Sequence, residues 1–451
     1  METFEQSLSR TMSAVQNWEH KNLLNKITII RDVYGKIALI LEAKRMLDTE
    51  ELESLDEGMK DRLGIRYRGN LYCRQNRNNA LVSAMMDEAE RCRVSLEERD
   101  GVEWSLVERA IAKKAWVECN CQEQPIWSFE EAQNRSKPKV VTFYSFKGGM
   151  GRTTAMAATA LSLAAKGKNV LAIDTDIEAP GLASLFLDDG DIQNGTVDYL
   201  LEAGLEEVSI NISGIVRQLT SPILREDIPG EMFIIPAGTI DQNYLQKLAR
   251  IDYQDTVPNN MKRQLCGMIE AAVQAISGVC RIDYVLLDSR AGFHDMGGVI
   301  TAQIPQGIVL FGKDSRQSWQ GLNLVLRAIA TSQTEQPMVA IVDSACGQNG
   351  TVSMEERKSF KEQSHMMFCE SYYAEGELQP GIEALGEAHS PIYVSYQPFL
   401  ADNIQLYSDG SIQQDERVRQ IKRMLLGEEY QEIRKRIEQW FGDEEGNPDC
   451  G

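Results

Sequence analysis

From residue 139 onward, short apolar runs alternate with longer stretches of helical character. Residues 140–146 are β-rich, 153–165 are small and helix-prone, and 169–174 form a second apolar run. Further strands are predicted at 232–235, 284–287, 308–311, 339–342 and 392–394, with helical patterns between most of them. Strands alternating with helices imply an α/β unit, a mainly parallel sheet with helices on both faces. Residues 1–136 read differently. There, 27–30 and 37–41 flank Asp32-Val33-Tyr34-Gly35, which fits two short strands and a turn. Leu23, Ile27, Ile30, Tyr34, Ile37 and Leu41 also recur at helical spacing, so periodicity alone leaves strand pair and helix both open. Asp48 with Glu51 three residues on forms a capping box for a helix to about residue 62. Two more helical patterns lie at 79–93 and 104–117. The expectation is a smaller α+β or mostly helical module over 1–136, then a polar linker at 130–138. An α/β unit over 139–412 follows, with a partly helical insertion at about 345–390. Helices and an acidic tail make up 413–451.

Composition narrows the class of protein. The 451 residues hold 43% hydrophobic and 25% charged side chains, which suits folded domains and excludes wholesale disorder. A formal charge of −20 repels nucleic-acid phosphates and anionic lipid at long range. Residues 1–136 carry 20 basic against 24 acidic side chains, −4, so −16 belongs to the remainder. Nine cysteines are scattered without a Cys-x-x-Cys, and Cys119-x-Cys121 is too closely spaced for zinc without further clustered ligands. The odd count and the lack of a basic-then-apolar start read as reduced thiols in a cytoplasmic protein. The longest apolar stretch, 155–165, is too short to span a bilayer.

The sharpest motif is Ser145-Phe146-Lys147-Gly148-Gly149-Met150-Gly151-Arg152-Thr153-Thr154, between a predicted strand and a predicted helix. Its glycines allow a tight turn with inward N–H groups, and the helix start adds a positive dipole end, which suits phosphate oxygens. Arg152 then faces the terminal phosphates, the Thr153 hydroxyl takes a place on Mg²⁺, and Thr154 supports an inner phosphate. An ordinary glycine-rich turn is the alternative, and the flanking strand and helix weigh against it. The segment resembles the deviant Walker A motif of the MinD/ParA group of P-loop ATPases, in its Lys-Gly-Gly-x-Gly-Arg variant. That resemblance implies a signature lysine, Lys147, reaching the nucleotide of an opposite subunit in an ATP-dependent homodimer. Arg152 departs from the usual loop lysine. A planar fork replaces a compact ammonium, and the two are not interchangeable at phosphate.

Two further segments agree. The run from Ala172 to Leu182 contains Asp174-Thr175-Asp176 and resembles the group's first switch. By resemblance Asp176 orients the attacking water and Asp174 helps organise the magnesium shell; positioning is most of phosphoryl-transfer catalysis. Tyr284-Val285-Leu286-Leu287-Asp288-Ser289-Arg290 ends an apolar run with an acid and resembles Walker B plus the second switch, with Asp288 holding Mg²⁺ through water. Asp343, after 339–342, could accept from an adenine amino group or be an ordinary strand-end residue. ATP over GTP follows from the resemblance alone. The resemblance spans about 139–400. It implies a slowly hydrolysing ATP switch controlling a protein partner, with a scaffold of little turnover or a nucleic-acid-associated ATPase as alternatives.

Other features weigh less. Lys60, Arg62, Arg66, Arg68, Arg74 and Arg77 cluster around Tyr67 and Tyr72. Basic residues interleaved with aromatics can grip nucleic acid, but a solvated or docking face is the favoured reading. Tyr430, Ile433, Ile437, Trp440 and Phe441 recur at helical spacing between acidic flanks that anionic lipid would repel, so packing on the body is favoured over a membrane.

Overall fold

The computed structural model of the chain describes residues 4–74, 80–96, 98–118, 124–192, 194–203, 211–251, 260–346, 353–373, 378–401 and 404–443. Two compact units divide it, Met1–Glu123 and Gln124–Gly451. Cys119, Cys121, Arg77 and the acidic tail at 444–451 lie outside the described residues.

In the first unit the open choice at 27–41 resolves to strands. β1 (Leu24–Arg31) and β2 (Ile37–Ala43) form an antiparallel pair. Asp32 Oδ1 accepts the Tyr34 and Lys36 N–H groups, both at 2.9 Å, and Gly35 supplies φ 73°. That side-chain-closed turn outweighs the helical spacing. β3 (Tyr67–Cys73) and β5 (Glu103–Glu108) flank the pair in parallel, and β4 (Val94–Ser95) closes the order β3-β2-β1-β5-β4. The expected capping box is present at helix Thr49–Leu63. The helix expected over 104–117 is not: its first part is β5, where Trp104 and Val107 are buried against the sheet core, and only Lys114–Val117 is helical. Aromatic and β-branched residues beside a central strand favour extended backbone.

The second unit carries an eight-stranded sheet. Its strands are β6 (Lys139–Ser145), β7 (Val170–Asp174), β8 (Arg217–Gln218), β9 (Met232–Ile235), β10 (Tyr284–Asp288), β11 (Gly307–Gly312), β12 (Met338–Cys346) and β13 (Ile392–Ser395). The order is β13-β12-β11-β6-β10-β7-β9-β8, parallel except for the β8–β9 edge. Central strands buried on both faces read as continuous apolar runs, which is why the sequence located them. Helix Arg152–Ala165 packs on one face, covered by helices Ile412–Leu425 and Glu428–Trp440. On the opposite face Thr142 Oγ1 donates to the Ile300 carbonyl, within the π-helical turn Val299–Gln303. Residues 130–133, expected within a linker, belong to a short helix, Phe129–Gln133, capped reciprocally by Ser128 and Glu131, with Ala132 fully buried in this unit's core. The polar surface of that segment hid its one anchoring alanine.

Tyr430, Ile433, Ile437 and Phe441 are all buried in the same core as the helix they cover. A buried ion pair fixes the far end. Lys139 Nζ reaches Asp443 Oδ2 at 2.6 Å, the Tyr284 hydroxyl donates to the same oxygen at 2.8 Å, and Arg135 lies 3.2 Å from Oδ1. Burial alone would raise the Asp443 carboxyl, yet the Lys139 and Tyr284 hydrogen bonds and the Lys139 and Lys168 charges hold it at about 2. A carboxyl depressed in the folded state stabilises above its ordinary range, and that stability is lost as the pH falls through its folded value. Asp443→Asn should therefore cost about 3 kcal/mol at neutral pH, since it leaves a buried lysine unpaired. Chemical denaturation of parent and variant should show the gap closing as pH falls from about 4 towards 2.

Candidate functional site

The loop between β6 and helix Arg152–Ala165 is shaped by two left-handed glycines, Gly149 at φ 73° and Gly151 at φ 66°. A Cβ added at Gly148 or Gly149 would meet nothing within 4 Å, so the loop borders open space there. Half-buried Thr153 and Thr154 lie in the first turn behind it. The Ser344 hydroxyl donates to the Met150 carbonyl and ties the loop to β12. Phe146 packs on Phe293 with ring centroids 5.2 Å apart. Its other neighbour is Gly321 of helix Arg316–Ser332, where a Cβ would sit 2.2 Å from the ring.

Three acids meet the loop because β6, β10 and β7 are neighbours. Asp174 and Asp288 end their strands in direct register. Arg152 is 8% exposed and turns towards these acids: Nε donates to Asp288 Oδ1 at 2.6 Å and Nη2 to Asp176 Oδ2 at 3.0 Å. Burial alone would lower its pKa, but the two carboxylates outweigh it and hold the guanidinium more firmly charged than usual. Burial raises Asp176 against the pull of Arg152. The Thr153 hydroxyl donates to Asp288 Oδ2 at 2.6 Å. A hydroxyl and a carboxylate at this spacing, beside an open glycine loop, fit a hard cation such as Mg²⁺.

Asp174 serves the backbone. Its oxygens accept from the N–H groups of Asp176 at 3.1 Å, Gly181 at 3.2 Å and Leu182 at 3.0 Å. Burial and the neighbouring Asp288 nevertheless push it up to about 8. Lys147 is half-buried, its Nζ donating to Ser315 Oγ at 3.3 Å. Asp343 lies on β12 in register with Gly312, one residue before the serine that holds the loop. Burial, with Asp314 and Glu356 nearby, raises it to about 7. The structure thus brings Arg152, Thr153, Asp174, Asp176 and Asp288 into one cluster. Lys147 and Asp343 stand beside it, on the flank formed by β11 and β12.

Sequence reasoning missed three contributors. Glu178 joins Arg290 and His294 in a second group: Glu178 Oε2 lies 2.6 Å from Arg290 Nη1, and Oε1 contacts His294 Nε2. Burial would raise Glu178, but the His294 and Arg290 contacts lower it. Glu178 and Arg290 lie within the two acid-bearing segments already singled out, two residues past Asp176 and Asp288. Only their spatial meeting was invisible.

Residues 138–238 match a family model described as an AAA domain. A stretch of 47 residues is 51% identical to an uncharacterized ATP-binding protein of Methanocaldococcus jannaschii, covering 10% of this chain and 18% of that protein. The chain thus spans less than a fifth of that relative's length. Among solved structures, pNOB8 ParA bound to nonspecific DNA matches at 15% identity and a TM-score of 0.44, over 68% of this chain and all of that one. The septum site-determining protein MinD complexed with Mg-ADP, from Pyrococcus horikoshii OT3, matches at 15% identity and 0.40, over 66% and 96% of the two chains. The matched family model takes in the glycine loop and the Asp174–Asp176 strand end. No helix among the described residues is long and apolar enough to cross a membrane.

Replacing Arg152 with alanine leaves Asp288 and Asp176 buried without their cation. Nucleotide-free stability should fall by about 3 kcal/mol, with millimolar Mg²⁺ restoring part of it. Thermal melts of parent and variant, with and without the ion, check this.

Proposed function

We propose that the protein is an ATP-binding, slowly hydrolysing switch that dimerises on ATP and controls a protein partner. The observation carrying this reading is the convergence of Arg152, Thr153, Asp176 and Asp288 at the carboxyl ends of three adjacent strands, behind an open glycine loop. In this reading the N–H groups of Gly148, Gly149, Met150 and Gly151, with Thr154, cradle the phosphates. Thr153 and Asp288 hold Mg²⁺, which when bound neutralises phosphate charge. Asp174 acts through the turn it anchors, so that Asp176 is held where it can orient water. Arg152 must leave at least one carboxylate to meet the terminal phosphates. Lys147 reaches an opposite subunit, Asp343 accepts from the base, and the unit 1–123 reports the nucleotide state to the partner.

The double grip on Arg152 favours a second reading, a nucleotide-gated scaffold with little turnover. Exchanging two buried ion pairs for phosphate contacts offsets part of the binding energy and slows assembly of the reactive arrangement. A nucleic-acid role draws little support. Lys60 pairs with Asp56, Arg68 with Asp32 and Arg74 with Glu42, which leaves less of the basic cluster for phosphates.

Asp176→Ala should keep ATP affinity within about threefold and lower steady-state turnover at least about tenfold. Phosphate release and equilibrium binding decide between the readings. Tight binding with no turnover even in the parent supports the scaffold, and no ATP·Mg²⁺ binding ends both. Lys147→Ala should bind ATP as a monomer but lose the ATP-induced dimer, read by light scattering with ATP against ADP.

A further inference from the structure

Two segments carry the acids of the site, residues 174–182 after β7 and residues 288–298 after β10. Their roots are joined by backbone: the Thr175 N–H and hydroxyl both donate to the Asp288 carbonyl, at 3.1 and 2.6 Å. Their outer parts are joined by one side chain. Glu178 holds Arg290 with one oxygen and His294 with the other, and the three side chains are only 23%, 35% and 17% exposed. A partly buried, two-armed carboxylate couples its partners far better than a solvated surface pair.

The second segment also touches the phosphate loop. Phe293 packs on Phe146, the Gly292 N–H donates to the Ser145 carbonyl at 3.2 Å, and the Tyr144 hydroxyl donates to the Gly292 carbonyl at 3.0 Å. The path from Asp176 through Glu178 and Arg290 to Phe293, Phe146 and the loop is therefore closed. Beyond His294 the chain runs through Asp295–Gly298 into the π-helical turn Val299–Gln303, which packs against helix Arg316–Ser332.

We propose that Glu178 is a positioning residue that makes the Asp176 segment and the Arg290–His294 segment move as one. Release of Asp176 from Arg152 would then be felt at helix Arg316–Ser332. The proposal rests on the ATP-switch reading for its trigger, but the coupling itself is a property of the nucleotide-free protein.

Hydrogen exchange on the full-length chain tests it, using Glu178→Gln, Arg290→Gln and the double variant. Without nucleotide, Glu178→Gln should speed exchange of both 176–182 and 289–298 by about fivefold or more, with exchange of helix 260–276 unchanged as a control for global unfolding. Each single variant should produce most of the effect of the double, because they break one unit. With ATP·Mg²⁺, the parent should protect both segments together, and Glu178→Gln should protect 176–182 while losing most protection at 289–298. Turnover should fall in kcat, with KM moving less than about twofold. Unchanged exchange at 289–298 in nucleotide-free Glu178→Gln overturns the coupling, as do multiplicative effects in the double variant. Absence of any ATP protection at 146–154 in the parent overturns the ATP-switch reading instead and leaves the nucleotide-free test of Glu178 standing.

Discussion

The second unit is organised around a charge problem at the ends of its central strands. β7 and β10 lie side by side, so Asp174 and Asp288 meet in register in a place sealed from water. Three carboxylates cannot share such a site without compensation. Arg152 answers for two of them, bound to Asp288 and Asp176. Asp174 is satisfied by three backbone N–H groups, which fixes the turn behind it. The phosphate loop, the acid-bearing turns and the first residue of the loop helix thus all answer to one electrostatic requirement. A ligand bringing both anionic oxygens and a divalent ion would redistribute every one of those contacts together.

That requirement explains why arginine in this loop has consequences beyond its charge. A lysine ammonium is a compact point whose three donors all sit on one nitrogen. The guanidinium spans two carboxylates with separate nitrogens, so it bridges the two acid-bearing segments. The loop is held from its other side by Ser344 and by the seating of Phe146 over Gly321. Charge sets where the helix start faces inward, and packing sets where the loop faces outward.

Much of the fold was legible because central parallel strands are apolar on both faces. The runs at 232–235, 284–287, 308–311 and 339–342 needed no periodicity to be found. Where strand and helix periods overlap, as at 27–41, a single side-chain-closed turn at Asp32 decided the outcome, and such turns carry weak signals in composition. Residues 104–117 misled because Trp104, Val107 and later apolar positions fit a helical face, while the true constraint was the neighbouring strand β1. The site acids could be read because they end strands beside a glycine loop. The pairing of Arg152 with those acids, and of Glu178 with Arg290 and His294, depends on which strands are neighbours, and neighbourhood is not written locally.

The buried tie between Lys139 and Asp443 bears on how the protein is made. These residues are 304 apart in the chain, and Arg434 reaches Ser162 of the loop helix across 272. During synthesis, at about 5–20 residues per second, the phosphate-loop helix would wait many seconds for its covering helices to emerge. Through that interval its alanine- and leucine-rich face stays open to other apolar surfaces. A chain interrupted before Ile412 would keep the loop and the acids yet leave helix Arg152–Ala165 without its cover, which makes premature termination far more damaging than its distance from the site suggests.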